Sequence, residues 1–397
     1  MQKLSFYERA EKLGHSVASL KAGNKISSVI SVANVDELKK LLDHGESESE
    51  RANRELNLFR DQIDPNSHTT DGLLRKVNAY VYGNGSLSSS DRQLVDAAFP
   101  LQVLAVSDNN PVFTVPTDLG TSQTLIVANY GTATIEDQAC LNVHNSTLEL
   151  TMDNLIRNGT APQGLGDFNI LGVPGNTGNQ GATGATGGEG SNGTNGYCSS
   201  AGIAGPGGTN GKEGNQGQQG VQGEQGGPGL PSMAATITIN QSIQGPKIVV
   251  YTQSGAGGTG GQGGQGGIGG KGGNGGDGVT CGCTGNGAGS AGPGGPGGPG
   301  GVGGSGGNGV NANGNIIVKV PSAYLNQIAT VSNIAPYGAP GEGGPGGAGG
   351  AAGSAGTGGK HNGDGNGAGP GGIGPVGTRG TSGTITGNPA TISVMPL

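Results

Sequence analysis

Gly257-Gly-Thr-Gly-Gly-Gln-Gly-Gly-Gln-Gly-Gly-Ile-Gly-Gly-Lys-Gly-Gly-Asn-Gly-Gly-Asp277 repeats one three-residue unit without a fault. An extended left-handed chain with three residues per turn places every third side chain on one face. Where that face is glycine, a neighbouring backbone can approach closely. Such a chain has no internal hydrogen bonds, so its amides must find partners on the segments beside it. Two glycine rows, as here, predict contact on two sides.

The same period runs through most of the second half. Glycine recurs every third residue from Gly172 to Gly229, missing only at Ser199, and again from Gly338 to Gly383, missing at Asn362 and Ala368. The three blocks, 172–229, 255–309 and 338–383, alternate with β-like segments at 234–253, 315–335 and 384–397. Each block is interrupted near its middle, at 197–201, 279–291 and 360–370. One hairpin per block then predicts six extended helices running alternately up and down, with the three breaks at one end. The expected fold is a six-helix polyglycine-II bundle over 172–397. Collagen is disfavoured because the first block holds only Pro174, Pro206 and Pro228, well below the proline content of a triple helix. Disorder is disfavoured because a flexible linker has no use for phase.

Composition divides at the same boundary. Of the 90 glycines, 11 lie in residues 1–171 and 79 in residues 172–397. The first part carries the whole net charge of −7, and the second carries six basic and six acidic residues. No basic patch suggests nucleic-acid binding. No run of about 18 apolar residues suggests a membrane span. Met1–Ala10 lacks the apolar core of a cleavable secretory signal.

Residues 1–98 read as a mainly helical attachment or oligomerisation region. One helix is expected over Ser5–Lys21. A second is capped by Asn34 or Asp36 and runs through Leu38, Leu41 and Leu42 towards Leu56, Phe59 and Ile63, with a possible break at Gly45. A third starts after Ser89 or Ser90. His15, His44, His68 and His144 are scattered and read as structural. Residues 99–171 change to strand patterning at Leu101, Val112, Thr124, Cys140 and Thr147, separated by turn formers such as Asp108-Asn-Asn-Pro. They predict a small antiparallel β-sandwich with a linker. The expected class is thus multi-domain: helical segment, antiparallel sandwich, polyglycine-II bundle.

No Walker, HExxH or Gly-x-Ser-x-Gly motif occurs, and the Gly-x-Gly-x-x-Gly matches are by-products of period three. No catalytic residue, cofactor or metal is expected. Cys281-Gly-Cys283 with Cys198 and His361 has the donors for a zinc site. The competing reading is a disulfide from Cys198 to Cys281 or Cys283. Cys140 reads as a buried strand residue.

The repeats Gly257–Ile268 and Gly338-Ala-Pro-Gly-Glu-Gly-Gly-Pro-Gly-Gly-Ala, with Ile248-Val-Val-Tyr-Thr-Gln-Ser-Gly running into glycine, resemble the receptor-binding tip adhesins on the long tail fibres of T-even-type phages. They are also similar to glycine-rich polyglycine-II domains of surface proteins. The resemblance covers the second half only; residues 1–171 lack that family's Trp-bearing attachment segment. It implies a non-catalytic structural adhesin on a virion or extracellular surface. The N-terminal part would attach to a fibre or virion protein. Distal loops would bind a bacterial outer-membrane protein or glycan. The loop candidates are Tyr197, Ser199, Thr280, Cys281, Cys283, Thr284, Lys360, His361, Asn362 and Asp364, residues in the three breaks, because recognition commonly sits on loops held by a rigid scaffold. The alternatives are a self-assembling surface filament and, less favoured, an ice-binding protein.

Overall fold

A computed structural model describes residues 4–43, 46–59, 70–121, 123–200 and 202–397. Gly45, Ile63, His44 and His68, named above, lie outside these residues. The elements in chain order are α1 (Phe6–Lys12), α2 (Val17–Lys21), β1 (Ile26–Val32), α3 (Val35–Leu41), α4 (Glu48–Phe59), α5 (Thr70–Tyr82), α6 (Ser89–Asp96), β2 (Leu101–Asp108), β3 (Val112–Phe113), β4 (Thr117–Thr121), β5 (Leu125–Ile135), β6 (Leu141–His144), β7 (Thr147–Arg157), β8 (Phe168–Leu171), β9 (Met233–Gln244), β10 (Ile248–Gln253), β11 (Thr280–Cys281), β12 (Thr284–Gly285), β13 (Asn313–Val320), a 3-10 turn at Ser322–Gln327, β14 (Ile328–Asn333) and β15 (Ile392–Pro396).

Two sheets organise the chain. The first has the order β1-β2-β5-β7-β9-β13-β15, with β3 beside β5; the second has the order β14-β10-β8-β6-β4. Apart from β1, which runs antiparallel to β2, every pairing in both sheets is parallel. The chain therefore winds as a two-sheet solenoid, each coil giving one strand to each sheet. The sequence shows why. Ile126, Ala128 and Tyr130 of β5 stack on Leu148, Leu150 and Met152 of β7, then on Ala235, Ile237 and Ile239 of β9, then on Ile316 and Val318 of β13. These inward side chains meet Leu141, Val143, Phe168, Ile170, Ile248 and Val250 of the second sheet in one buried core. Each fully buried aliphatic side chain contributes about 1.5–3 kcal/mol. At the corners Gln123 (φ 50°) and Asn145 (φ 44°) adopt the left-handed conformation. They stack one coil apart, with the Gln123 amide donating to the Asn145 carbonyl at 2.6 Å.

The glycine blocks are excursions of these coils. Stacked residues lie 22 apart in the early coils but 76 to 87 apart once the excursions intervene. Each excursion leaves the second sheet, runs outward, turns and returns into the first. Segments I (172–196), III (255–278) and V (336–359) run out; segments II (205–229), IV (287–309) and VI (363–383) run back. The ladder between β8 and β10 continues without a break into the glycine, with Gly172 N–H donating to Gln253 O and Gly175 N–H to Ala256 O, both at 2.8 Å. Segments III and IV are central: III bonds laterally to I, II, IV and V, and IV to II, III, V and VI. At about 3.1 Å per residue the arm projects roughly 70 Å.

This architecture corrects the fold expected from the sequence. The chain is α/β, built on a large mixed sheet and a parallel sheet, and is not three modules ending in a six-helix bundle. The strands of 99–171 do not form an antiparallel sandwich of their own. They pair with one another in parallel, in two different sheets, and β7 and β8 pair onward in parallel with β9 and β10 from the glycine-rich half. Turn formers between them mark solenoid corners rather than hairpins. The regular helices among the described residues are α1–α6 and the single 3-10 turn; the glycine segments are extended stretches of the solenoid's own coils.

The N-terminal region differs in detail as well. Gly14 (φ 72°) splits the first expected helix into α1 and α2. Strand β1 and helix α5 were not foreseen. Asn34 caps α3, accepting from Glu37 N–H at 3.0 Å, and Ser88 caps α6. The helices cover the outer face of the first sheet, where Leu38, Leu42, Leu58, Phe59, Val81 and Val95 pack on Val103, Ala105, Val127 and Ile317. Charged contacts fasten them: Arg54 to Glu149 at 2.7 Å, Arg9 to Asp153 at 2.8 Å, and Lys319 to Glu46.

Candidate functional site at the arm tips

All three breaks lie at the far end of the arm, where three short loops join. The first, Tyr197 to Gly205, is closed by Ser199, whose amide and hydroxyl both donate to Ile203 O, at 2.9 and 3.0 Å. The second is the β11–β12 hairpin, in which Thr280 pairs with Gly285 and Cys281 with Thr284. Gly282 at its apex has φ 62°, a conformation glycine adopts without Cβ strain. The third turns at Lys360-His361. His361 (φ 65°) is held left-handed, Asn362 N–H donates to Gly359 O at 2.9 Å, and the Asp364 carboxylate accepts from Gly358 N–H at 2.8 Å.

Two links tie the loops together. Cys198 and Cys281 form a disulfide, Cα atoms 5.6 Å apart, joining the first and second. Thr280 Oγ1 accepts from Lys360 N–H at 3.0 Å, joining the second and third. Beneath them sits buried Asn286. Its Nδ2 donates to Pro206 O at 2.9 Å, its Oδ1 accepts from Val279 N–H at 2.6 Å, and its carbonyl accepts from Gly359 N–H at 3.0 Å. One side chain therefore touches the first two tips while its backbone holds the third. Sequence reasoning missed it. The only signal was an asparagine where the Gly-Gly-X phase is lost.

The ten candidate residues therefore cluster at one end, but not in one role. Ser199, Thr280, Asn362 and Asp364 shape the loops. Cys281 is buried in the disulfide. Tyr197 (61% exposed), Cys283, Thr284, Lys360 and His361 face outward. The zinc set does not assemble, since two of its thiols are joined to each other; among the described residues no group of three or more His, Cys, Asp or Glu is placed to hold a metal ion. No described helix is long and apolar enough to cross a membrane.

Cys283 is exposed and free, while Cys140 is buried just ahead of β6 rather than within a strand, and burial pushes its thiol up. A thiol reagent is thus expected to titrate one thiol per native chain and two after unfolding without reductant. Two reactive thiols in the native state would contradict this arrangement.

The chain matches no protein-family model, no curated protein and no solved structure.

Proposed function

We propose that this protein is a non-catalytic structural adhesin. The solenoid with its N-terminal helices is the anchoring end, docking on a fibre or virion protein. The arm holds three cross-linked tips outward to bind a bacterial cell-surface receptor, an outer-membrane protein or a glycan. One observation carries the reading: Tyr197, Lys360 and His361 are exposed together, at the far end of a long arm, on loops fixed by a disulfide and by Asn286. An aromatic face, a cation and hydrogen-bonding groups preorganised on a rigid support suit recognition, because little conformational freedom is lost on binding. Such a layout separates the recognising end from the anchored one by the length of the arm.

The test is the triple variant Tyr197→Ala, Lys360→Ala, His361→Ala. It is expected to lose binding to receptor-bearing cells by at least tenfold while keeping the wild-type Tm. Undiminished binding by a folded triple variant would overturn the assignment.

A further inference from the structure

The first and last coils of the stack present different outer faces. A coil buries one side on its neighbour, so the terminal coils of a repeat structure need polar or covered outer sides. The first coil has both. Strand β1 covers β2, and the outer edge of segments I and II carries exposed Asn179, Lys212, Asn215, Gln218 and Glu224, interrupted only by Val221 at 55% exposure. The last described coil, formed by β13, β14, segments V and VI and β15, has no covering strand and carries more exposed apolar residues. Strands β14 and β15 are sheet edges without a charged residue, and edges of that kind invite association. Ile334 is 57% exposed, Ile373 81%, Val376 71% and Ile385 55%.

The arrangement of this face is self-complementary. Segments V and VI run antiparallel, with Gly371, Gly374 and Gly377 donating to Gly350, Gly347 and Gly344. That register sets Ile373 beside Ala348, Val376 beside Pro345 and Arg379 beside Glu342. The last pair is joined at 3.0 Å. Large apolar residues thus line segment VI, and small ones line segment V at the same heights. A twofold axis parallel to the arm, between the two segments, brings segment VI of one chain onto segment V of another. Ile373 and Val376 then meet Ala348 and Pro345, and Arg379 meets Glu342, each twice. No like charges face each other. An arm about 70 Å long and two lanes about 5 Å wide present about 700 Å² per chain, and the β14–β15 edge adds more. That reaches the ~800 Å² per partner of a standard interface.

We infer that the occupant of this face is a second copy of the same chain, giving a closed, parallel dimer with both sets of tips at one end. Sedimentation equilibrium on the full chain tests it. The wild type is expected at twice the 38.5 kDa of one chain. Ile373→Glu, at an exposed position, is expected to give the monomer mass with an unchanged circular dichroism spectrum. Glu342→Arg alone is expected to weaken the dimer at least tenfold, and Glu342→Arg with Arg379→Glu to restore it. A monomeric wild type, an open-ended series of larger species, or an Ile373→Glu variant that stays dimeric would each overturn the inference.

Discussion

Gly267→Ala is expected to lower stability by at least ~3 kcal/mol, while Gly372→Ala leaves it unchanged or raises it slightly. Gly267 lies in central segment III, its amide donating to Gln218 O at 2.7 Å. A Cβ there would stand 1.9 Å from Ala185 O. Real contacts of that kind need well over an ångström more, so segments I and III must part. Overpacking of a rigid lattice costs about 1–3 kcal/mol, and each lateral hydrogen bond lost adds about 1 kcal/mol. Separation at one level strains the levels above and below, because the segments are bonded every third residue. At Gly372 a Cβ meets nothing within 4 Å. Alanine there only reduces the freedom of the unfolded chain, a gain of up to about 1 kcal/mol. Thermal or denaturant unfolding of the two variants measures the difference. Equal effects would show that close approach is not what fixes glycine in the arm.

Arg54→Met is the second large effect, expected to cost about 3–5 kcal/mol. Arg54 and Glu149 are each only 2% exposed, beneath α4 on the outer face of the first sheet. Burial alone would pull the Arg54 guanidinium down, but Glu149 and Glu46 outweigh it and hold the group above its ordinary value. Glu149 also accepts from Thr236 Oγ1 at 3.2 Å. Removing Arg54 leaves a buried carboxylate without its cation, the situation in which breaking a buried ion pair is most damaging. The double variant Arg54→Met, Glu149→Leu is expected to recover most of the loss, since an apolar pair of similar volume often replaces a buried ion pair at little cost. Denaturant unfolding of the two single variants and the double variant forms the cycle. A double variant as unstable as Arg54→Met would show that Arg54 acts through packing rather than through charge.

Some of this structure was legible in the sequence, and some was not, for physical reasons. The glycine period is legible because a Cβ at Gly264 or Gly301 would lie 1.9–2.1 Å from a carbonyl oxygen; no other residue fits, so the constraint is written out every third position. The location of the tips followed from where that period fails. Strand direction was not legible. A five-residue strand such as Ala235-Thr-Ile-Thr-Ile alternates in the same way whether its neighbour runs parallel or antiparallel. What decides is the register to β7, set 87 residues earlier. A clue was present in Leu125-Ile-Val-Ala-Asn-Tyr and Thr147-Leu-Glu-Leu-Thr-Met, two similar strands one 22-residue coil apart, but a repeat so short is masked by the long excursions that follow. Strand β1 was missed because Ile26-Ser-Ser-Val-Ile-Ser-Val alternates imperfectly, and its partner β2 lies beyond four helices. Asn286 was missed because its partners belong to loops about 80 residues away.

The central claim is that the solenoid's stacking continues through the glycine segments as lateral hydrogen bonds. Residue-resolved amide exchange across Gly257–Gly272 tests it most directly. Gly260, Gly261, Gly263 and Gly264 donate to neighbouring segments, whereas among the described residues none accepts from the amides of Thr259, Gln262, Gln265 and Ile268. Protection is expected to repeat every three residues, with two slow glycine amides followed by one fast amide. The slow amides should match those of β9 within about tenfold. Uniformly fast exchange through the segment, or protection without that period, would contradict the account.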